Sequence, residues 1–186
     1  EEEEQAKKLA EAGVWRYNHN LECCKGFFHN ICRTHHYEER VKTAKLVKKT
    51  GMALCCGGII GMGESIKQRI ELAFEIKQLD PNTVPINFLN PREGTPLGHL
   101  ENIKTLEALK VISIFRLILP KKTIMLAGGR ETALLDLQPL GILAGSNGII
   151  IGNYLTTLGR TPKEDLSMIK NLQIPIRYLT NDTLAQ

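Results

Sequence analysis

The chain has 186 residues, 42% of them hydrophobic, and a formal net charge of +4 at pH 7, enough for one domain with a sizeable core. The positive charge is scattered over lysines such as Lys42, Lys45, Lys48 and Lys49, and the 5% aromatic content supplies no stacking platform, so nucleic-acid binding gains no support. The five cysteines are an odd number, no secretory pattern opens the sequence, and no apolar run nears the roughly 20 residues of a membrane span; a reducing cytoplasm and no membrane association are expected.

Residues 1–12 carry their acids first and end before Gly13, which predicts a helix with a glycine stop. It starts abruptly, as though cut from something longer. Val14 to Asn20 reads as a strand ending in Tyr17-Asn18-His19-Asn20-Leu21-Glu22. Amides, an imidazole and a carboxylate in so short a run can bind ribose hydroxyls, a carboxylate or a ureido group, or form an ordinary polar loop. Residues 23–36 read as irregular. Their Cys23, Cys24, Cys32, His29, His35 and His36 suggest zinc, yet neither Cys-x2-Cys nor His-x3-His spacing is present. A helix follows from Tyr37 to Lys49, stopped by Gly51. Arg40, one turn in, either reaches back to an anionic group at the strand ends or is solvated.

Gly51 to Leu54 leads as a buried strand into Cys55-Cys56, and Gly57, Gly58, Gly61 and Gly63 then remove side chains that would hold a ligand off the backbone. The thiols stand at the carboxyl end of a strand, where α/β proteins build sites. They read equally as small buried hydrophobes. Glu64 and Ser65 open a helix on Ile66, Ile70, Ala73, Phe74 and Ile76 to Leu79.

After Asp80-Pro81-Asn82 the pattern repeats. Val84 to Leu89 is a strand, residues 90–96 a loop, Leu106 to Leu119 a helix closed by Pro120, and Lys122 to Leu126 a strand released at Gly128-Gly129. Glu131 to Leu143 reads as a helix kinked near Pro139, Gly148 to Gly152 as a strand and Pro162 to Leu172 as a helix. The tail, residues 173–186, has no readable role. Strands alternating with helices predict an α/β fold with a parallel sheet. Asn18, Asn20, Cys55, Asn87 and Arg130 fall at one end of successive strands. Chemistry spread along one rim predicts a partial (β/α) TIM-type barrel of about five βα units, since a doubly wound sheet would gather it at one switch point.

Six ordered blocks then combine: Tyr17 to Glu22, Thr34 to Arg40, Cys55 to Glu64, Val84 to Leu89, Gly94-Thr95-Pro96-Leu97 and Ala127-Gly128-Gly129-Arg130-Glu131. Together they resemble biotin synthase, a radical S-adenosylmethionine (radical SAM) family. The resemblance implies that residues 1–186 are the C-terminal part of one barrel domain, strands four to eight. The Cys-x3-Cys-x2-Cys loop that holds the family's radical-generating 4Fe-4S cluster is absent from the sequence, so the chain alone is expected to be inactive.

The resemblance also implies the reaction and its parts. Dethiobiotin becomes biotin by radical sulfur insertion, with an auxiliary iron-sulfur cluster, 2Fe-2S in the familiar form, as sulfur source. Partners would be an electron donor such as flavodoxin or ferredoxin and, at full length, a second copy. By motif match, Asn20 and Glu22 contact the S-adenosylmethionine ribose or the substrate, Arg40 pairs with the methionyl carboxylate, and Gly58, Ile59 and Gly61 line the nucleoside. Asn18, Asn20 and Asn87 face the substrate, Asn87 at its ureido ring. Cys55 ligates the auxiliary cluster, with Cys32 a weaker candidate. Met125 stands where the familiar form has an arginine ligand; whether it lies beside the sulfur source or merely packs the barrel, the resemblance then implies a cluster held by cysteines only. The alternatives are a sibling radical SAM barrel, such as a maturase or methylornithine synthase, and a non-catalytic half barrel.

Overall fold

The computed structural model describes residues 2–154 and 157–177. Helix α1 (Glu2–Glu11) ends where Gly13 takes a φ of +89°, a left-handed stop that glycine adopts without strain. Strand β1 (Arg16–Asn18) follows, then α2 (Lys25–Ile31), α3 (Tyr37–Lys49), β2 (Ala53–Cys55), β3 (Gly58–Ile60) and α4 (Ile66–Leu79). The second half holds β4 (Thr83–Phe88), α5 (Thr105–Ile118), β5 (Thr123–Leu126), α6 (Arg130–Leu134), a short 3-10 turn (Leu135–Leu137), α7 (Gln138–Leu143), β6 (Gly148–Ile149) and α8 (Pro162–Asn171). No helix among the described residues is long and apolar enough to cross a membrane.

All pairings in the six-stranded sheet are parallel: β1 with β2, both β2 and β3 with β4, β4 with β5, and β5 with β6. Strand order therefore follows chain order. Right-handed crossovers in that order put every connecting helix on the same face, which makes the sheet an arc of a barrel.

The sequence predicts five strands, and the sixth arises from Pro85. Cys55 pairs with Thr83 and Gly58 with Ile86 in one unbroken register, so β2 and β3 are a single barrel strand. Its ladder breaks opposite Pro85, which has no N–H to donate.

Alternation along the strands sorts the side chains. Leu54, Cys56, Val84, Ile86, Phe88, Ile124 and Leu126 join the core with Val47 of α3, Leu72 and Ile76 of α4, and Ile112 and Phe115 of α5. Each such side chain contributes about 1.5–3 kcal/mol by leaving water. Their alternates, Asn18, Cys55, Thr83, Asn87 and Met125, stay outside that cluster and line the opposite, concave face.

Several expectations need correction. Residues 23–36 are not wholly irregular: α2 forms because Phe28 buries against the core, and the Cys24 carbonyl accepts the first free amides, from Phe27 and Phe28. The helix expected over 131–143 is broken at Leu135, whose φ is +49°. β1 and β6 are shorter than their apolar runs. Arg130 is not on the rim; it is fully buried and ion-paired to Asp165 of α8 at 2.6 Å. Residues 178–186 of the tail lie outside the described residues.

Candidate functional site

Past Asn18 the chain stays locked to the next barrel strand: His19 N–H donates to the Cys55 carbonyl and Leu21 N–H to that of Gly57, both at 2.9 Å. The Asn20 side chain adds a third link, its Oδ1 accepting from Gly57 N–H at 3.0 Å. Glu22 then takes a φ of +70°, a left-handed conformation that costs a residue with a side chain about 1–3 kcal/mol. It is held there by a bridge to Gly58, with Ile59 N–H donating to the Glu22 carbonyl at 2.7 Å.

That bridge explains why Gly58 is glycine. A Cβ on Gly58 would stand 2.6 Å from the Glu22 oxygen. The protein's own backbone thus demands the bare position, whatever ligand the segment faces.

Arg40 reaches back from α3, as one of its two readings anticipates. Nη1 donates to the Asn20 carbonyl at 2.9 Å and lies 3.7 Å from Glu22 Oε1. The guanidinium also sits over the Phe28 ring, 5.8 Å from its centroid. Three buried polar atoms here lack a hydrogen-bond partner: His19 Nε2, Glu22 Oε2 and Arg40 Nε. Each such orphan costs about 1–3 kcal/mol until a partner arrives. Burial pushes the Glu22 carboxyl above the usual range, against the pull of Arg40 and of a hydrogen bond with Asn20. Burial also lowers the His19 imidazole, helped by the charges of Arg40 and His35. A carboxylate acceptor, a guanidinium donor and a neutral imidazole suit a ligand carrying hydroxyls and a carboxylate. On these orphaned atoms, S-adenosylmethionine fits.

The second group lies on the concave face of β2, β4 and β5. Asn87 Oδ1 accepts from Gly128 N–H at 3.1 Å, and Nδ2 donates to the Gly58 carbonyl at 3.3 Å. A backbone donor on one side and a backbone acceptor on the other fix the amide's orientation. Cys55 is 4% exposed; burial raises its thiol pKa while Arg16 opposes the shift. Its register partner Thr83 is fully buried with an unpartnered Oγ1. Met125 pairs with Pro85 of β4 on one side and with Gly148 of β6 on the other.

The structure separates the two candidate metal-binding cysteines by environment. Cys32 Sγ lies 3.3 Å from His35 Nδ1 and 3.6 Å from Thr34 Oγ1, and the Thr34 hydroxyl leads in lowering its pKa. Among the described residues no three His, Cys, Asp or Glu side chains gather as a metal site. Cys55 therefore belongs to no group of three such side chains among the described residues.

One residue was missed. Glu64 reads in the sequence as the acidic start of a helix, but its carboxylate folds back to accept from Gly61 N–H at 2.8 Å and Met62 N–H at 2.7 Å. Arg69 Nε donates to the same carboxylate at 2.6 Å and Nη1 pairs with Glu107 of α5. The glycine turn is thus pinned by a buried ion pair. Only the proximity of an acid and a base in the sequence hinted at it.

Residues 1–76 match the Radical SAM superfamily and residues 85–174 the Biotin and Thiamin Synthesis associated domain. The chain is 55% identical over 174 residues to the biotin synthase of Carboxydothermus hydrogenoformans, covering 94% of this chain and 54% of that relative. It is 53% identical over 183 residues to the biotin synthase of Rhodococcus jostii, covering 98% and 54%. The chain belongs to the biotin synthase family. It spans about half the length of the curated relatives it matches.

Two solved structures share the fold. Methylornithine synthase matches with a TM-score of 0.71 at 24% identity, over 92% of this chain and 54% of that one. A FeFe-hydrogenase maturase from Carboxydothermus hydrogenoformans matches at 0.72 and 14%, over 92% and 44%. Such identities speak to architecture alone, and they agree with a partial barrel. The biotin synthase relatives carry the family assignment read from the six blocks.

Proposed function

We propose that these residues form barrel strands four to eight of a biotin synthase, which inserts sulfur into dethiobiotin. The observation that supports this reading is that Asn18, Cys55 and Asn87 share one concave face, Asn87 standing farther along β4 than Thr83, the partner of Cys55, beside Asn20 and the orphaned atoms of Glu22 and Arg40, in a chain 53–55% identical to curated biotin synthases. When bound, S-adenosylmethionine, a 4Fe-4S cluster and an auxiliary iron-sulfur cluster supply hydrogen abstraction and the sulfur atom.

The protein's part is placement. Glu22 and Asn20 take the ribose hydroxyls or the substrate, and the free Nε of Arg40 meets the methionyl carboxylate. Gly58, Ile59 and Gly61 line the nucleoside. Asn18 and Asn87 face the substrate; Asn87 still has an N–H and an oxygen lone pair free, which match a ureido ring. Cys55 gives the auxiliary cluster its one thiolate from this face, with Cys32 held in reserve near His35. An electron donor of the flavodoxin or ferredoxin type, a second copy at full length and a cytoplasmic location complete the proposal.

The test uses the full-length enzyme, reconstituted with iron and sulfide and supplied with reductant, S-adenosylmethionine and dethiobiotin. Biotin is the expected product. 5′-Deoxyadenosine without biotin, under conditions where a known biotin synthase turns over, would assign the chain to a sibling radical reaction.

A further inference from the structure

The turn that holds Asn87 has a single methyl group as its side-chain complement, on the buried Ala127. Ala127-Gly128-Gly129 hydrogen-bonds to β4 through its backbone: Ala127 N–H donates to the Ile86 carbonyl at 3.1 Å, Phe88 N–H donates to the Gly128 carbonyl at 2.8 Å, and Gly128 N–H donates to Asn87 Oδ1. Gly129 has a φ of +79°, and a Cβ there would stand 2.0 Å from the Phe88 oxygen. Two consecutive glycines give this segment many alternative conformations. The Ala127 carbonyl, in the same peptide as the Gly128 N–H, is held from outside this turn.

A buried polar chain supplies that hold. The Tyr154 hydroxyl donates to the Ala127 carbonyl at 3.2 Å or to Glu131 Oε1 at 3.0 Å, and it accepts from Arg130 Nε at 3.1 Å. Arg130, fully buried, also donates to Gln138 Oε1, to the Ile150 carbonyl at 3.3 Å and to Asp165 Oδ2 at 2.6 Å. Asp165 is itself fully buried, on α8. The chain thus ties the glycine turn to α7, to the segment after β6 and to α8.

We infer that Tyr154, Arg130 and Asp165 are positioning residues for Asn87: through the Ala127 carbonyl they fix the Gly128 peptide that orients the substrate-facing amide. This rests on the reading of Asn87 as a dethiobiotin contact. A purely structural role would lower stability without favouring one ligand over another. The positioning role acts on dethiobiotin alone and only while Asn87 is present.

The experiment is a double-mutant cycle in the full-length enzyme with Tyr154→Phe and Asn87→Ala, measuring dissociation constants for dethiobiotin and S-adenosylmethionine by calorimetry. Tyr154→Phe keeps the ring and removes only the hydroxyl, so the fold survives. It should weaken dethiobiotin roughly three- to ten-fold, the scale of one hydrogen bond, with S-adenosylmethionine unchanged. In the Asn87→Ala background it should have no further effect. Equal weakening of both ligands, full additivity with Asn87→Ala, or unchanged dethiobiotin binding in Tyr154→Phe beside a weakened Asn87→Ala overturns the latch. Unchanged binding in Asn87→Ala removes the substrate reading of Asn87, and the latch with it.

Discussion

The carbonyl oxygen of Pro85 stands where a side chain of Gly57 would have to be, 1.8 Å from its ideal Cβ position. Both atoms belong to strand backbone in the centre of the sheet, so neither can move without parting β4 from its neighbour. Gly57→Ala should therefore destabilise the protein by about 3 kcal/mol or more, the range of severe core disruption. Urea unfolding of the variant and its parent measures this; a loss below 1 kcal/mol would mean the strands can separate cheaply.

Arg69 neutralises a carboxylate that is 4% exposed, that of Glu64, while also reaching Glu107. Arg69→Met leaves Glu64 buried and uncompensated. A loss of about 3–5 kcal/mol is expected, because removing one partner of a buried pair costs far more than the pair contributes. Restoring stability with the further change Glu64→Gln, seen in the same unfolding assay, would trace the loss to the stranded charge.

Glu22 carries a pH signature. Burial raises its folded-state pKa above the unfolded value, so the fold favours the neutral acid. Its contribution to stability is present below the unfolded pKa and is lost as pH rises through the folded one. Glu22→Gln should thus be more stable than the parent at pH 7, and the advantage should vanish on acidification toward pH 4. Thermal unfolding across that window reads the difference, and a variant advantage that grew in acid would reverse the sign.

Asn87→Ala in the full-length enzyme should weaken dethiobiotin binding by about 1–3 kcal/mol, the cost of leaving a buried partner unpaired. Binding measured by calorimetry with S-adenosylmethionine present tests the assignment.

Met125 shares the concave face with Cys55, which bears on the auxiliary cluster proposed above. A thioether is a neutral soft ligand and lacks a guanidinium's donors, so a cluster held by cysteines alone is expected, with Cys55 among them. Mössbauer spectra of the full-length enzyme should lose or alter the auxiliary signal in Cys55→Ala; a conventional 2Fe-2S signal that survives the change removes both inferences.

The sequence made the barrel legible because period two and helical spacing each persist over whole elements. The concave-face residues were legible for the same reason: alternation carries Asn18, Cys55 and Asn87 to one side. Cys55, however, reads as the carboxyl end of a strand, and the unbroken register through Gly57 places it inside one that runs on to Ile60. What stayed hidden was set by contacts far apart in sequence. Arg130 reads as a rim residue until Asp165, 35 positions on, draws it inward. Glu64 reads as a helix-start acid until the turn above it supplies two amides. Glu22 gives no sign of its left-handed backbone, which comes from pairing with Gly58. The split of β2 from β3 was written in Pro85, but only the register shows that no residue is inserted.

The Gly57 amide, in the middle of the sheet, gives its proton to a side chain, Asn20 Oδ1, while its carbonyl is held by Leu21 N–H. Deuterium exchange at that amide is therefore expected to follow the rotamer of Asn20 as well as strand separation. Whenever Asn20 turns away, Gly57 becomes labile while the Leu21 amide beside it keeps its protection. Two neighbouring amides with different clocks give a solution readout of where Asn20 points.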